Sequence, residues 1–301
     1  MKVLHYGNFS TVWTLREIQR KHGLEARVLD TNPSPLLFHS DYVVPHKLAT
    51  DVMDKGVWIG YVLSIVRKFD IIHFHGGLGK VRARVATVAR NLGKKIVVHY
   101  RGSDLRESLR AGFQHLADAI VVSTPDLKAF CKGATYIPNP VKPLPPRPLP
   151  DFPFKIVNAH TSRFDKEKVK GSDTIMRILR ELESELGFEV IEVVDLPHED
   201  AIARYSRAHV AVDSLFLGWY GVFAVECMLM GIPVLAHIDK TFGDPPLLSV
   251  TSTELRDALI GLADDKDEIE RLGRIQRDYA LAHHDPESVF RQVHRIYESF
   301  Q

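Results

Sequence analysis

The sequence predicts an α/β chain of two doubly wound domains, and three observations carry that expectation. Short β-branched and aromatic runs alternate with segments of helical length through both halves of the chain. Residues 138–153 (PNPVKPLPPRPLPDFP) hold eight prolines in sixteen positions and separate the two alternations. The length of 301 residues suffices for two cores of about 150 residues each.

In the first half, residues 3–6, 26–30, 70–75, 95–100 and 119–124 read as parallel strands. Residues 11–22 and 78–92 have helical length, and Gly23 and Gly93 behind them suit C-terminal caps. The proline stretch can be neither helix nor central strand, so it is expected to be a stiff linker. This predicts an N-terminal domain over 1–145 and a second domain over 146–285. In the second domain, strands are expected at 155–159, 189–195, 210–214 and 233–237. Beyond residue 253 the pattern is helical, with a break at 283–286 before a last helix, 287–300, expected to pack back on the first domain. Ligands of doubly wound sheets bind at the carboxyl ends of strands, so a central cleft faced by both domains is expected.

Composition narrows the function. With 45% apolar and 26% charged residues the chain reads as globular. Cys131 and Cys227 fit neither a disulfide framework nor a zinc spacing, and the start MKVLHYGNFS lacks the features of a signal peptide, so a native start and a cytoplasmic protein are expected. The longest uncharged apolar stretch, 56–66, has eleven residues, about half of the roughly 20 that span a bilayer. Residues 1–150 carry 22 Lys and Arg against 11 Asp and Glu, and residues 151–301 carry 17 against 27. Such asymmetry points either to an anionic partner of the first half or to mutual attraction of the domains.

The most informative stretch, residues 210–237, reads strand, glycine-containing loop, short helix, glycine stop, strand. Gly218 and Gly221 let backbone approach a ligand, and helix amides after Gly221 favour an anion such as a diphosphate. Glu226 is the sole charge in the apolar run 222–230. A buried carboxylate needs donors, which ribose hydroxyls would supply; the competing assignment is an outward-facing or structurally paired Glu226.

This stretch resembles the donor site of the retaining family-four glycosyltransferases, enzymes built of two Rossmann-like domains in the GT-B arrangement. Tyr220, Gly221, Glu226, Met228, Gly231, Pro233 and Val234 match the family pattern. The resemblance implies that Glu226 holds the donor ribose and that Tyr220, Gly221 and Val222 lie against sugar and diphosphate. It also implies that Arg163 and Lys170, within His160-Thr161-Ser162-Arg163 and Lys170-Gly171-Ser172, grip the diphosphate; a basic surface turn is the alternative. Two cations and a helix N-terminus can stabilise a departing nucleoside diphosphate without metal, and no metal or other cofactor is expected. Where the family has a first glutamate this chain has Gly218, as in a subgroup sharing the loop GWYG, with Asp213 a candidate substitute.

In the first domain, His75, Gly76, Gly77, Arg101, Gly102 and Asp104 fall at strand ends. Family members carry a histidine where this chain has Arg101, so Arg101 and Asp104 are candidate catalytic residues in their own right, or an ordinary strand-end pair. Gly7 and Asn8 occupy the place of a flexible phosphate-facing loop and, with His75 and Gly77, make up the candidate acceptor side. Residues 80–95 carry six basic residues and no acid around a Val/Ala stripe, which reads as a basic amphipathic helix for an anionic membrane surface or as a solvated face.

The expected function is therefore transfer of a sugar from a UDP- or GDP-type donor to a glycan or lipid-linked acceptor in glycoconjugate synthesis. The alternative is a non-catalytic subunit that binds a sugar nucleotide. A nicotinamide enzyme is disfavoured because no Gly-x-Gly-x-x-Gly follows the first strand, and no nucleic-acid reader motif accompanies the basic half.

Overall fold

The computed structural model describes residues 1–31, 40–44, 55–106, 110–160 and 170–300. Contacts divide the chain into one unit of Met1–Pro140 with Pro286–Gln301 and another of Val141–Asp285.

The first unit is a seven-stranded parallel sheet. Its strands are β1 (Lys2–Tyr6), β2 (Glu25–Asp30), β3 (Tyr42–Val43), β4 (Ile71–His75), β5 (Lys95–Tyr100), β6 (Ala119–Val122) and β7 (Thr135–Tyr136), in spatial order β3-β2-β1-β4-β5-β6-β7. Alternation of side chains gives β1, β4 and β5 two covered faces, which is why, beyond a leading lysine in β1 and β5, they read as runs without Lys, Arg, Asp or Glu. On one face, helices α2 (Lys55–Val66) and α3 (Lys80–Asn91) bring Trp58, Val62, Ile65, Ala83 and Ala86 onto Leu4, Phe74 and Val98. On the other, α1 (Ser10–Lys21) and the C-terminal helix bring Leu15, Ile18, Val289, Phe290 and Val293 onto Val3, Ile71 and Val97. A single turn, α4 (Ser103–Arg106), follows β5.

The second unit is a five-stranded parallel sheet in the order β12-β11-β10-β8-β9, from β8 (Lys155–His160), β9 (Glu189–Val194), β10 (Val210–Val212), β11 (Val234–Ala236) and β12 (Leu248–Ser249). Helices α5 (Ser172–Leu186), α6 (His198–Tyr205), α7 (Val222–Leu229), α8 (Leu255–Ala263) and α9 (Lys266–His283) cover it. Seven of the eight α7 residues are buried, as expected of a helix without a polar stripe. α9 packs on α7, and Gln276 pairs both backbone groups of Val234, its Oε1 accepting at 2.7 Å and its Nε2 donating at 3.3 Å. Asp265 caps α9 by accepting from the Glu268 amide at 2.9 Å, so the charged run at 265–270 is a helix start.

The proline-rich segment has no regular secondary structure and lies on the second unit, with Val141 N–H on His284 O and Arg147 N–H on Met230 O. Helix α10 (Pro286–Glu298) belongs to the first unit: it packs on α1, and Glu287 pairs with Lys21 at 2.9 Å and His22 at 2.6 Å. Both cysteines are free thiols and buried. No helix among the described residues is long and apolar enough to cross a membrane.

Candidate functional site

In the second sheet, β8 and β10 are neighbours whose crossovers leave in opposite directions, so their carboxyl ends form a switch point. Asp213 follows β10 there and is 1% exposed. Its Oδ1 lies 3.2 Å from Lys170 Nζ, and its Oδ2 accepts the Gly221 amide at 2.6 Å. One carboxylate thus ties the approach to α5 to the start of α7. A Cβ on Gly221 would sit 3.3 Å from Asp213 Oδ2 and 3.8 Å from Lys170 Nζ, so the bare backbone keeps this junction compact. Beyond Gly221, the first amides of α7 have no acceptor within the helix and form an electropositive end.

Glu226 lies on the second turn of α7 and is 5% exposed. Its Oε1 bonds His198 Nε2 at 2.7 Å. That bond raises the His198 pKa against the opposing effect of burial and so favours the protonated imidazole. Oε2 has no protein hydrogen bond among the described residues. Gly218, at φ 72, stands against Asp239, whose Cβ would lie 3.2 Å from a Cβ at position 218.

In the first sheet the switch point falls between β1 and β4, where Gly7 and Gly76 follow the strands. Arg82 reaches back from α3 to donate to the His75 carbonyl at 2.9 Å and lies over the Tyr6 ring. Asp104 accepts from the backbone amides of Arg101 at 3.0 Å and Gly102 at 2.6 Å. The Arg101 guanidinium turns to His75, Ser123 and Asn139 instead.

Comparison with solved structures identifies this architecture. A sucrose-phosphate synthase from Thermosynechococcus elongatus matches with a TM-score of 0.69 at 16% identity, over 99% of each chain. HepE of Anabaena, solved with UDP-glucose, matches at 0.66 and 13% identity over 99% of this chain and 100% of its own. The lipopolysaccharide outer core galactosyltransferase WaaB matches at 0.66 and 14% identity over the whole of both chains. The chain has the GT-B fold. No protein-family model matches it, and no curated protein matches its sequence.

On this GT-B scaffold the residues expected at the donor side divide. Lys170, Gly171, Gly221, Val222 and Glu226 gather at the switch point of the second sheet, together with Asp213. Tyr220 turns its ring inward, stacked on Trp219, with its hydroxyl bonded to Tyr279 at 3.0 Å and His284 at 3.1 Å. Only its backbone therefore faces the loop. His160 closes β8 and bonds Glu192 of β9 at 3.0 Å. Ser162 and Arg163 lie outside the described residues. On the acceptor side, Asn8 donates to Ser40 at 2.9 Å and Asp30 at 3.4 Å. Gly77 is buried directly behind Gly76.

Sequence reading missed what lies behind Arg101. His5, His73, His75 and His99 come from β1, β4 and β5, all on the face covered by α1 and α10, and all are buried. Arg101 can only donate, so its bond to His75 Nδ1 puts the imidazole proton on Nε2. That proton meets His5 Nδ1 at 2.9 Å, and His5 Nε2–H meets Gln19 Oε1 at 2.7 Å. Gln19 donates to the Tyr297 hydroxyl at 3.4 Å, which bonds His73 Nδ1 at 2.6 Å. Burial pushes His5 down to about 4 and the other three well below the ordinary histidine value, so the cluster is neutral. His5, His73 and His75 bring ring nitrogens within 4.8 Å of one another. The proton fixed on His75 Nε2 removes the lone pair a metal would need, so the trio fits a directed hydrogen-bond chain better than a cation. The alternation His73-Phe74-His75 was its only sequence signal.

Proposed function

We propose that the chain is a glycosyltransferase that takes a nucleoside-diphosphate sugar at the carboxyl edge of the second sheet. The observation that carries this reading is Glu226, a buried carboxylate at the switch point with one oxygen held by His198 and the other available to ribose hydroxyls. Lys170 and the first amides of α7, held together through Asp213, would receive the diphosphate end, where developing charge on the leaving group is stabilised by a cation and helix amides. The neighbouring structures support it, since HepE was solved with UDP-glucose and WaaB is a galactosyltransferase. Retention of anomeric configuration follows from the family resemblance, as does transfer without a bound metal. The acceptor, a glycan or lipid-linked molecule, is assigned to the edge bearing Gly7, Asn8, Gly77, Arg101 and Asp104. Residues 80–95 are assigned to an anionic membrane surface, on the inner face of the membrane.

Calorimetric titration without added metal tests the donor site, using UDP, GDP, ADP and their sugar derivatives. Micromolar binding of one nucleotide is expected, weakened in Glu226→Ala by about 1 kcal/mol or more, roughly fivefold. A folded chain that binds none of them overturns the reading. Gly218, standing where the family carries a glutamate, favours one second reading, a subunit that binds a sugar nucleotide without transferring it. Turnover of any donor and acceptor pair excludes that second reading.

A further inference from the structure

Arg101 is a partly buried cation whose side-chain partners are all neutral. Nη1 donates to Ser123 Oγ at 3.3 Å and to Asn139 Oδ1, and Nη2 donates to His75 Nδ1, while Nε has no partner. Two other guanidiniums of the same unit that are mostly buried have a carboxylate partner: Arg106 pairs with Asp126 at 2.7 Å and Arg16 with Asp41 at 3.1 Å. Among the described residues Arg101 has no such ion pair, because Asp104 turns both oxygens to backbone amides. The histidines behind it contribute no negative charge. Burial already presses on the guanidinium, pushing its pKa down to about 9 against the pull of Asp104. A desolvated charge without a counter-charge is costly, and such a group persists where a ligand supplies the missing charge.

We infer that the carboxyl edge of the first sheet is a phosphate site, and that its ligand is the phosphate of a phosphorylated acceptor held by Arg101. The guanidinium fork suits phosphate oxygens. Arg82 reaches the same edge, its guanidinium nitrogens 3.4 Å from a Cβ built on Gly76 and 3.6 Å from one on Gly7, with Asp104 Oδ2 3.6 Å from the Gly76 position, so only bare backbone fits between these groups. The acceptor's identity rests on the glycosyl-transfer reading; the anion site rests on Arg101 alone.

The test is thermal unfolding of the full chain in a Lys170→Ala background, which silences the cation of the second unit, titrated with inorganic phosphate and with a short-chain isoprenyl phosphate. Phosphate is expected to raise Tm, with an affinity at least tenfold weaker in Arg101→Gln and partly retained in Arg101→Lys. A phosphate response unchanged in both variants, or a Tm lowered equally with and without phosphate, overturns the site. The isoprenyl phosphate is expected to bind more tightly than inorganic phosphate; equal affinity overturns the acceptor assignment. A chain that binds a nucleotide but shows an unchanged phosphate response in Arg101→Gln sinks this inference and leaves the transfer reading standing. The converse result sinks only the transfer reading.

Discussion

Glu226 sits inside an apolar helix with one carboxylate oxygen held by His198, at the start of α6. The pairing has a readable signature. Since the hydrogen bond holds the His198 pKa above its ordinary 6.5, the stabilisation it gives is complete below pH 6.5 and is lost as pH rises through the folded value. NMR titration of the imidazole should therefore show His198 titrating above 6.5 in the parent chain and falling toward or below it in Glu226→Ala, where burial is opposed only by the nearby charge of Glu199. An identical titration in both chains would show that the pair does not form in solution. Glu226 could be read from sequence as a lone charge in an apolar run. His198 could not, because it lies 28 positions away on another element and no local pattern links the two. Tyr220 illustrates the reverse: its place in a motif is legible, but the direction of its ring depends on Tyr279 of α9 and His284 just past its end.

At the scale of elements, α3 differs in detail from a free amphipathic helix. Ala83, Val85, Ala86 and Ala89 form its apolar stripe, and the sheet covers them. Arg82 is drawn to the His75 carbonyl, leaving Lys80, Arg84 and Arg90 on the exposed face. The neighbouring α2 adds Val57 and Tyr61, 58% and 54% exposed, one turn apart, with Arg67 and Lys68 just beyond its end. Adsorption to anionic lipid would thus be mainly electrostatic, with two apolar side chains at its centre. Co-sedimentation with phosphatidylglycerol vesicles should be strong at low salt and fall several-fold once the Debye length shrinks below about 10 Å; absence of pelleting at low salt removes the membrane assignment. The long central strands were legible because two covered faces keep acidic and basic side chains out of them beyond their first residue. The two-residue strands β3, β7 and β12 were not, since so short a run carries no periodicity. Helix α2 was visible only as an uncharged stretch, because helix and buried strand share that signature.

Across the whole molecule, four neutral histidines inside one sheet set the acid limit of stability. Their folded pKa values lie below that of the unfolded chain, so the unfolded state takes up protons first as pH falls. The stabilisation is complete above pH 6.5 and is lost on the way down to about 4, on the order of 3 kcal/mol from His5 alone. Chemical denaturation followed at stepwise pH should show the midpoint dropping through that window, and a flat profile would contradict a neutral cluster. The two-part division of the chain was legible in its proline-rich stretch. The cluster was not, because its members come from β1, β4 and β5 and meet only once strand register is set.

Helix α10 has one more consequence, for the order in which the chain can fold. The sheet of the first unit is complete by Tyr136, yet the face carrying Val3, Ile71, Val97 and the histidines has only α1 over it until Val289, Phe290, Val293 and Tyr297 arrive. During synthesis the continuous stretch Val141–Asp285 emerges in between and can close its own core first. The half of the protein made first is therefore the half finished last, and a ribosome that stops short of residue 286 releases a second unit with all its strands and helices and a first unit still lacking part of its cover.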